Sequence, residues 1–153
     1  MKEKKDLSNI LMIIFCLIVF IFLIKFKITE INGESMIPTF KDKELQLLYK
    51  TKNLNNNDII VTNSSVLDTV LIKRVIGIPG DTIEIKDNIL YLNNEPLIED
   101  YIYEDMKTKD INTYVLKEDE YFICGDNRNN STDSRHIGPI KKEEIIGKLI
   151  LWN

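Results

Sequence analysis

One long apolar segment limits what this chain can fold into. Residues 10–24 form a run of fifteen residues that contains no charge, no glycine and no proline. Together with its flanks, the segment from Leu7 to Ile28 would extend about 33 Å as a helix, and a bilayer core is roughly 30 Å thick. The sequence therefore predicts a transmembrane helix over Leu7–Ile28.

A cleaved secretory signal peptide is the alternative interpretation of this segment. Such peptides end in a small-x-small cleavage site, whereas the apolar run is followed by Lys25-Phe26-Lys27-Ile28-Thr29-Glu30. We therefore expect an uncleaved anchor. Lysines flank both of its ends, so the positive-inside rule favours a cytoplasmic N-terminus only weakly. A single N-terminal anchor agrees with that orientation and would place residues 28–153 outside the cell.

Charge and metal-ligand content exclude several classes of function. Residues 1–27 carry a net charge of +3 and residues 28–153 a net charge of −7. An acidic folded part argues against a nucleic-acid partner, which requires a basic surface. With one histidine and two distant cysteines, Cys16 and Cys124, the chain has too few ligands for a zinc site, and a disulfide is implausible. We expect no metal, no cofactor and no disulfide.

The sequence after the predicted anchor predicts short strands separated by turns. β-branched and apolar runs alternate with Asn-, Gly- and Pro-containing segments, which is typical of an all-β domain. We predict strands at Glu44–Tyr49, Asp58–Thr62, Val70–Ile76, Thr82–Lys86, Ile89–Leu92, Thr113–Leu116, Tyr121–Cys124 and Ile145–Trp152, with a helical turn at Lys141–Glu144. Residues 99–112 are charged and show little periodicity, so we predict a mobile excursion there.

Ser35 lies in a bent segment between Gly33 and Pro38. Glycine and proline favour turns, so the serine would be presented on a loop. A serine becomes a strong nucleophile only when a base accepts its proton. His136 could form a Ser-His-Asp triad, although it is the only histidine and Ile37 interrupts the Gly-x-Ser-x-Gly pattern. The other possible base is a lysine with a lowered pKa.

Lys73 is the candidate lysine. It lies in the predicted strand Val70–Ile76, where successive side chains point to opposite faces. Both faces are apolar, so at least one of Lys73 and Arg74 should be desolvated. Lysine gives up its proton on burial far more readily than arginine does. The alternative is a structural cation at a strand end, and the pattern alone does not separate the two.

The third polar stretch runs from Gly125 to Gly138. It is dense in hydrogen-bonding side chains, and Asp133 and Arg135 lie close enough to form an ion pair. A solvated loop and a calcium loop are the alternatives. Calcium fits poorly, because Arg128 stands at a ligand position and the turn glycine and distal glutamate of such loops are missing.

These three stretches resemble the bacterial type I signal peptidases in order and approximate spacing. The segments that carry the resemblance are Gly33–Thr39, Lys73–Asp81 and Gly125–Arg128, with Ser131, Asp133, Ser134 and Arg135 following. The short anchor and the Asn57-Asp58-Ile59-Ile60-Val61 run match as well. The resemblance implies a mainly β fold of the signal-peptidase and SOS-repressor type behind one N-terminal transmembrane helix. Residues 1–28 would form the cytoplasmic tip and anchor, and residues 29–153 an extracytoplasmic catalytic domain.

The resemblance also implies a membrane-bound serine endopeptidase that removes signal peptides from secretory preproteins after small-x-small sites. Ser35 would be the nucleophile that forms an acyl-enzyme, with Lys73 as its general base and the Ser35 N–H stabilising the oxyanion. Ser131 would orient the lysine, and Asp133 and Arg135 would form a supporting ion pair. The remaining implied site residues are the loop frame of Asp126, Asn127 and Arg128, and the substrate- or membrane-contacting Met36 and Ile37. We expect a monomer in the lipid bilayer.

Two departures from the family pattern matter. Some members carry a serine as a second oxyanion donor where this chain has Gly33, so another donor should compensate here. Gram-positive members share the glycine, so it does not indicate an inactive protein. Only 43 residues separate Asp81 from Gly125, so the large inserted β-domain of bigger relatives does not fit. Relatives of the endoplasmic-reticulum type carry histidine where this chain has Lys73, so the lysine indicates the bacterial subtype.

Two other functions are alternatives to this interpretation. A self-cleaving SOS-type repressor, which shares the fold and the Ser/Lys chemistry, would need a DNA-binding segment in place of the anchor. An inactive anchored adaptor remains the non-enzyme alternative.

Overall fold

The computed structural model describes residues 2–102 and 104–150, which form one long helix followed by an antiparallel β-domain. The elements are α1 (Lys2–Lys25), β1 (Phe26–Glu30), β2 (Leu45–Tyr49), β3 (Ile59–Ser64), β4 (Thr69–Gly77), β5 (Thr82–Lys86), β6 (Ile89–Leu92), β7 (Glu95–Pro96), β8 (Ile111–Val115), β9 (Glu120–Cys124), a 3₁₀ turn (Arg128–Asn130), α2 (Ser134–Ile137), β10 (Ile140–Lys141), a second 3₁₀ turn (Lys142–Glu144) and β11 (Ile145–Ile150). The mainly β fold behind one helix is confirmed.

The strands form two sheets. The larger sheet has the order β1-β2-β11-β3-β4-β9-β10, and the smaller one β7-β6-β5-β8. Three apolar clusters meet at β4. Ile76 packs with the smaller sheet, Ile72 packs against the cluster around Met36, and Val75 belongs to a third cluster around Tyr121. The strand that carries Lys73 is therefore held by the core on several sides.

The helix ends earlier than predicted, at Lys25 instead of Ile28. Its Ser8–Lys25 segment is long and apolar enough to cross a membrane, and the domain buries none of it. Residues 26–28, predicted as helix, are instead strand, because Phe26, Lys27 and Ile28 pair with Tyr49, Leu48 and Leu47 of β2. The apolar helix thus continues directly into the first strand.

All eight predicted strands are present, with ends shifted by a few residues. The predicted turn at Lys141–Glu144 is the 3₁₀ turn Lys142–Glu144. The last predicted strand is observed to Ile150, and Leu151 and Trp152 lie outside the described residues. The prediction missed β1, β7 and β10. The last two contain two residues each, too few to show a periodicity.

The prediction for residues 99–112 as a mobile excursion is wrong where this segment packs against the site. Glu99 forms a salt bridge with Arg128, the Tyr101 ring lies against Arg74, and Met106 is buried in the core. Charge and weak periodicity concealed these contacts, because their partners lie elsewhere in the sequence. Residues 111 and 112 begin β8.

Candidate active site

The loop between β1 and β2 presents Ser35. Gly33 has φ +90°, a value that favours glycine, and its N–H donates to Asp42 Oδ1 at 2.7 Å. Met36 and Phe40 are buried beneath the loop, and the Phe40 N–H donates to the Met36 carbonyl at 2.9 Å. Two buried side chains thus fix the loop, while Ser35 stays partly exposed.

Lys73 lies inside β4, where it pairs with Ile60 of β3. Its side chain is buried, and Nζ lies 2.7 Å from Ser35 Oγ and 3.1 Å from the Ile72 carbonyl. Burial lowers the pKa of the Lys73 ammonium below its ordinary value, and the Asp133 carboxylate opposes this shift only in part. A lysine so placed can accept the proton of the serine hydroxyl.

The neighbouring cation, Arg74, is also buried and has a different partner. Its Nε and Nη2 atoms donate to the two oxygens of Asp126 at 2.8 and 2.6 Å, and both side chains are almost completely shielded from solvent. Thr39 Oγ1, from the serine loop, donates to the same carboxylate at 2.5 Å. Because its carboxylate is occupied by these donors, Asp126 does not fit the calcium interpretation.

Asp133 organises the C-terminal part of the polar loop. It accepts hydrogen bonds from Ser131 Oγ at 2.7 Å, from the Gly125 N–H at 2.9 Å, and from Nε and Nη2 of Arg135 at 2.8 and 2.7 Å. Burial works to raise its pKa, but the Arg135 guanidinium and these donors hold the pKa below the usual range. The carboxylate therefore stays charged inside the domain.

Ser131 contacts Asp133 rather than the lysine in this arrangement. Its hydroxyl donates to Asp133 Oδ2, while the hydrogen bonds of Lys73 Nζ within the described residues go to Ser35 and Ile72. The expected role of Ser131 in orienting Lys73 stays a prediction. Its oxygen could still accept a hydrogen bond from the lysine while its O–H donates to Asp133.

The polar loop is tied directly to the serine loop. The Asn127 N–H donates to the Ser35 carbonyl at 3.0 Å, and Asn127 Nδ2 donates to the Glu34 carbonyl at 3.2 Å. Arg128, fully buried, donates from Nε to the Gly125 carbonyl at 2.9 Å. The three stretches that the sequence singled out therefore meet at one place in the fold.

The ring of His136, the alternative base, forms no hydrogen bond with the part of the chain that the structure describes. Its ring is 54% exposed, and Nδ1 is 3.9 Å from Asp133 Oδ1. Ser35 Oγ is bonded to Lys73 Nζ instead. The geometry therefore favours lysine over histidine as the partner of the serine.

A cavity of about 350 Å³ opens beside Ser35 and Lys73. It is lined by Met36, by the segment from Lys27 to Asn32 and by the start of β4 from Val70 to Ile72. Met36 is thus both a core side chain and part of the cavity wall. Ile37 is half-buried and is not among the lining residues.

Sequence reasoning missed two residues that contact the site framework, Glu99 and Tyr101. Glu99 bonds to Arg128, and the Tyr101 ring lies 3.9 Å from the Arg74 guanidinium carbon. A glutamate followed two residues later by a tyrosine is a common combination. No local signal could have identified either residue.

Comparisons with known proteins show the family of this chain. The family described as signal peptidase, peptidase S26, matches residues 4–152. The chain belongs to this family. Its members similar to this chain include signal peptidase I P of Bacillus subtilis subsp. natto, which is 36% identical over 95% of this chain and 90% of its own length. Signal peptidase IB of Staphylococcus aureus is 35% identical over 95% of this chain and 88% of its own length.

A solved structure of a signal peptidase I from Enterococcus faecalis V583 has the same fold. The two chains align with a TM-score of 0.57 at 34% sequence identity, and the alignment covers 64% of this chain and 97% of the solved chain. Membership of the signal peptidase family makes this chain a serine protease whose reaction is the removal of signal peptides. Its apolar N-terminal helix is consistent with anchoring in a membrane.

Proposed function

We propose that this chain cleaves secretory preproteins after small-x-small sites through a Ser35/Lys73 dyad. The observation that carries the proposal is the 2.7 Å distance between Lys73 Nζ and Ser35 Oγ, in a place where burial lowers the lysine pKa. A nucleophile within hydrogen-bond reach of a desolvated base is what acyl transfer requires.

The dyad would act in two stages. In the first, neutral Lys73 accepts the Ser35 proton while Oγ attacks the scissile carbonyl, and it then donates that proton to the leaving amine as the acyl-enzyme forms. In the second, Lys73 accepts a proton from water, and the resulting hydroxide attacks the ester. The proton returns to Ser35 as the signal peptide leaves, which restores the starting state.

The backbone N–H of Ser35 is the proposed oxyanion donor. Within residues 2–102 and 104–150 it has no hydrogen-bond acceptor, whereas the Gly33 N–H is occupied by Asp42. An unoccupied donor adjacent to the nucleophile can stabilise the charge that develops on the carbonyl oxygen. The carbonyl of the same peptide unit, that of Glu34, accepts a hydrogen bond from Asn127 Nδ2 at 3.2 Å, which holds the unit from the other side.

The cavity suits an extended peptide. β1 is the edge strand of the larger sheet, and β4 pairs with β9 only from Arg74 onward. On the side away from β3, the backbone N–H and C=O groups of Val70–Lys73 have no strand partner among the described residues, so they can pair with an added peptide strand. Ile31, Met36 and Ile72 supply apolar wall, which favours small apolar side chains at the −1 and −3 positions of the substrate.

A preprotein cleavage assay tests the proposal. The full-length chain in detergent is incubated with a preprotein that has an Ala-x-Ala site, beside its Ser35→Ala and Lys73→Ala variants. We expect the wild type to cut after the second alanine and both folded variants to be inactive. A substrate with phenylalanine at −1 should resist cleavage. A wild type that cleaves none of several preproteins would favour the adaptor alternative, and an active Lys73→Ala variant would exclude the dyad.

A further inference from the structure

The segment formed by residues 97–102, here called the strap, carries a buried acidic side chain. Glu99 is 8% exposed and accepts hydrogen bonds from Nη1 of Arg128, at 2.6 Å, and from Nη2 of the same guanidinium. The Tyr101 hydroxyl donates to Glu99 Oε1 at 2.8 Å. The carboxylate is thus held by two side chains, and it is the ion-pair partner of a fully buried arginine.

Tyr101 also reaches the second buried arginine. Its ring lies 3.9 Å from the guanidinium carbon of Arg74, a distance typical of a cation–π contact. Burial, together with the adjacent Glu99 carboxylate, raises the pKa of the Tyr101 hydroxyl, so the ring remains neutral and its O–H remains a donor. One tyrosine therefore bridges the two buried cations, by its face to Arg74 and by its hydroxyl through Glu99 to Arg128.

Both arginines contact the segments that carry the proposed reacting groups, Ser35 and Lys73. Arg74 follows Lys73 on β4 and bonds to Asp126 and to Thr39 of the serine loop. Arg128 bonds to the Gly125 carbonyl, at the start of the turn whose Asn127 N–H holds the Ser35 carbonyl. The strap thus completes a buried polar network that connects the serine loop, the lysine strand and the polar loop.

We propose that Glu99 and Tyr101 are positioning residues that set the distance between Ser35 and Lys73 by fixing the side chains of Arg128 and Arg74. The proposal rests on the proposed Ser35/Lys73 reaction. A buried arginine that loses its carboxylate is strongly destabilised in place, and when it moves towards water it displaces the loop that carries it. A displacement of about 1 Å at a reacting group can lower the rate by roughly 100-fold.

Steady-state kinetics on the full-length chain in detergent test this role. Glu99→Gln keeps the size of the side chain and removes its charge, and Glu104→Gln makes the same change at an exposed position close in sequence. We expect Glu99→Gln to lower kcat about 10- to 100-fold with KM within about 3-fold of wild type. The Glu104→Gln variant should retain the wild-type kcat and KM.

A double-mutant cycle identifies the route of the effect. If Glu99 acts through Arg128, Glu99→Gln should add little to the loss already caused by Arg128→Met. Multiplied losses in the double variant would overturn the proposal, and so would a wild-type kcat in Glu99→Gln.

Tyr101 provides an independent test if Glu99→Gln does not fold. Tyr101→Phe keeps the ring over Arg74 and should lose less kcat than Tyr101→Leu, which removes both contacts while leaving every ion pair intact. A folded Tyr101→Leu with unchanged kcat would overturn the strap proposal. These outcomes differ from a failure of the proposed function, because in that case the wild type itself would not cleave the preprotein.

Discussion

At the scale of single residues, two adjacent cationic side chains on β4 differ in whether they bond to a carboxylate. Arg74 and Lys73 are both buried, but only Arg74 forms a bidentate ion pair, with Asp126. Lys73 faces the hydroxyl of Ser35, and desolvation lowers its pKa. The cation without a directly bonded carboxylate is the one that can give up its proton.

The pH dependence of cleavage follows from that difference. The base form of Lys73 is neutral, so kcat/KM should rise with pH as the ammonium loses its proton and should level off above the lowered pKa. Lys73→Arg keeps a positive charge that cannot be lost and should abolish turnover. The measurement is kcat/KM between about pH 5 and pH 9 for wild type and variants.

His136→Ala is the control for this profile. The imidazole is more than half exposed and should not control the reaction, so the variant should keep the rising limb. A profile that is flat over the whole range would contradict a lysine base. Loss of the limb in His136→Ala would instead assign it to the histidine.

At the scale of elements, the site depends on how closely the polar loop approaches the serine loop. A Cβ added to Gly125 would lie 2.5 Å from the backbone carbonyl oxygen of Ser35 and in contact with the Ser131 hydroxyl. Backbone cannot yield as a flexible side chain can. The end of β9 therefore needs glycine because another segment of backbone lies against it.

Gly125→Ala should accordingly separate the two loops and reduce kcat by about 100-fold or more, since Ser35 would move relative to Lys73. Gly77→Ala is the matched control, because the nearest atoms to its added Cβ are side-chain atoms, Leu116 Cδ1 at 2.7 Å and Ile83 Cδ1 at 2.8 Å, and not backbone. We expect the control to lose thermal stability but to keep most of its activity. Equal kinetic losses in the two variants would contradict this account.

At the scale of the whole molecule, the apolar helix is followed directly by the sheet that carries Lys73. Phe22 and Phe26 stack across the junction with ring centroids 4.6 Å apart, and the Lys50 N–H donates to the Lys25 carbonyl at 2.8 Å. The first strand thus begins where the apolar helix ends. We propose that the helix crosses the membrane once and that the β-domain lies outside the cell; the direct connection would keep that domain next to the bilayer.

Cysteine labelling of intact cells tests that orientation. Cys124 is buried and Cys16 lies in the apolar helix, so Cys16→Ser gives a chain with little background reactivity. A Lys86→Cys variant, at an exposed hairpin position, should react with a membrane-impermeant maleimide. Lys4→Cys should react only after the cells are permeabilised. The reverse pattern would place the β-domain in the cytoplasm.

The sequence by itself determined the parts of this protein that depend on local patterns. The apolar run predicts the helix, alternation and turn residues predict eight strands, and short motifs in a fixed order predict the family. Burial of a strand cation was also predictable, because both faces of β4 are apolar. Each of these signals is carried by runs of consecutive residues, and the family motifs add only their order along the chain.

Only the tertiary structure decided the contacts between distant segments. Phe26–Ile28 are strand because β2 pairs with them, although their composition continues the apolar anchor. The Asn127 N–H bonds to the Ser35 carbonyl, and Glu99 meets an arginine 29 residues away. Such pairings depend on where the chain returns after several strands. Local propensity carries no information about that return, and so the residues of the strap became visible only in the folded chain.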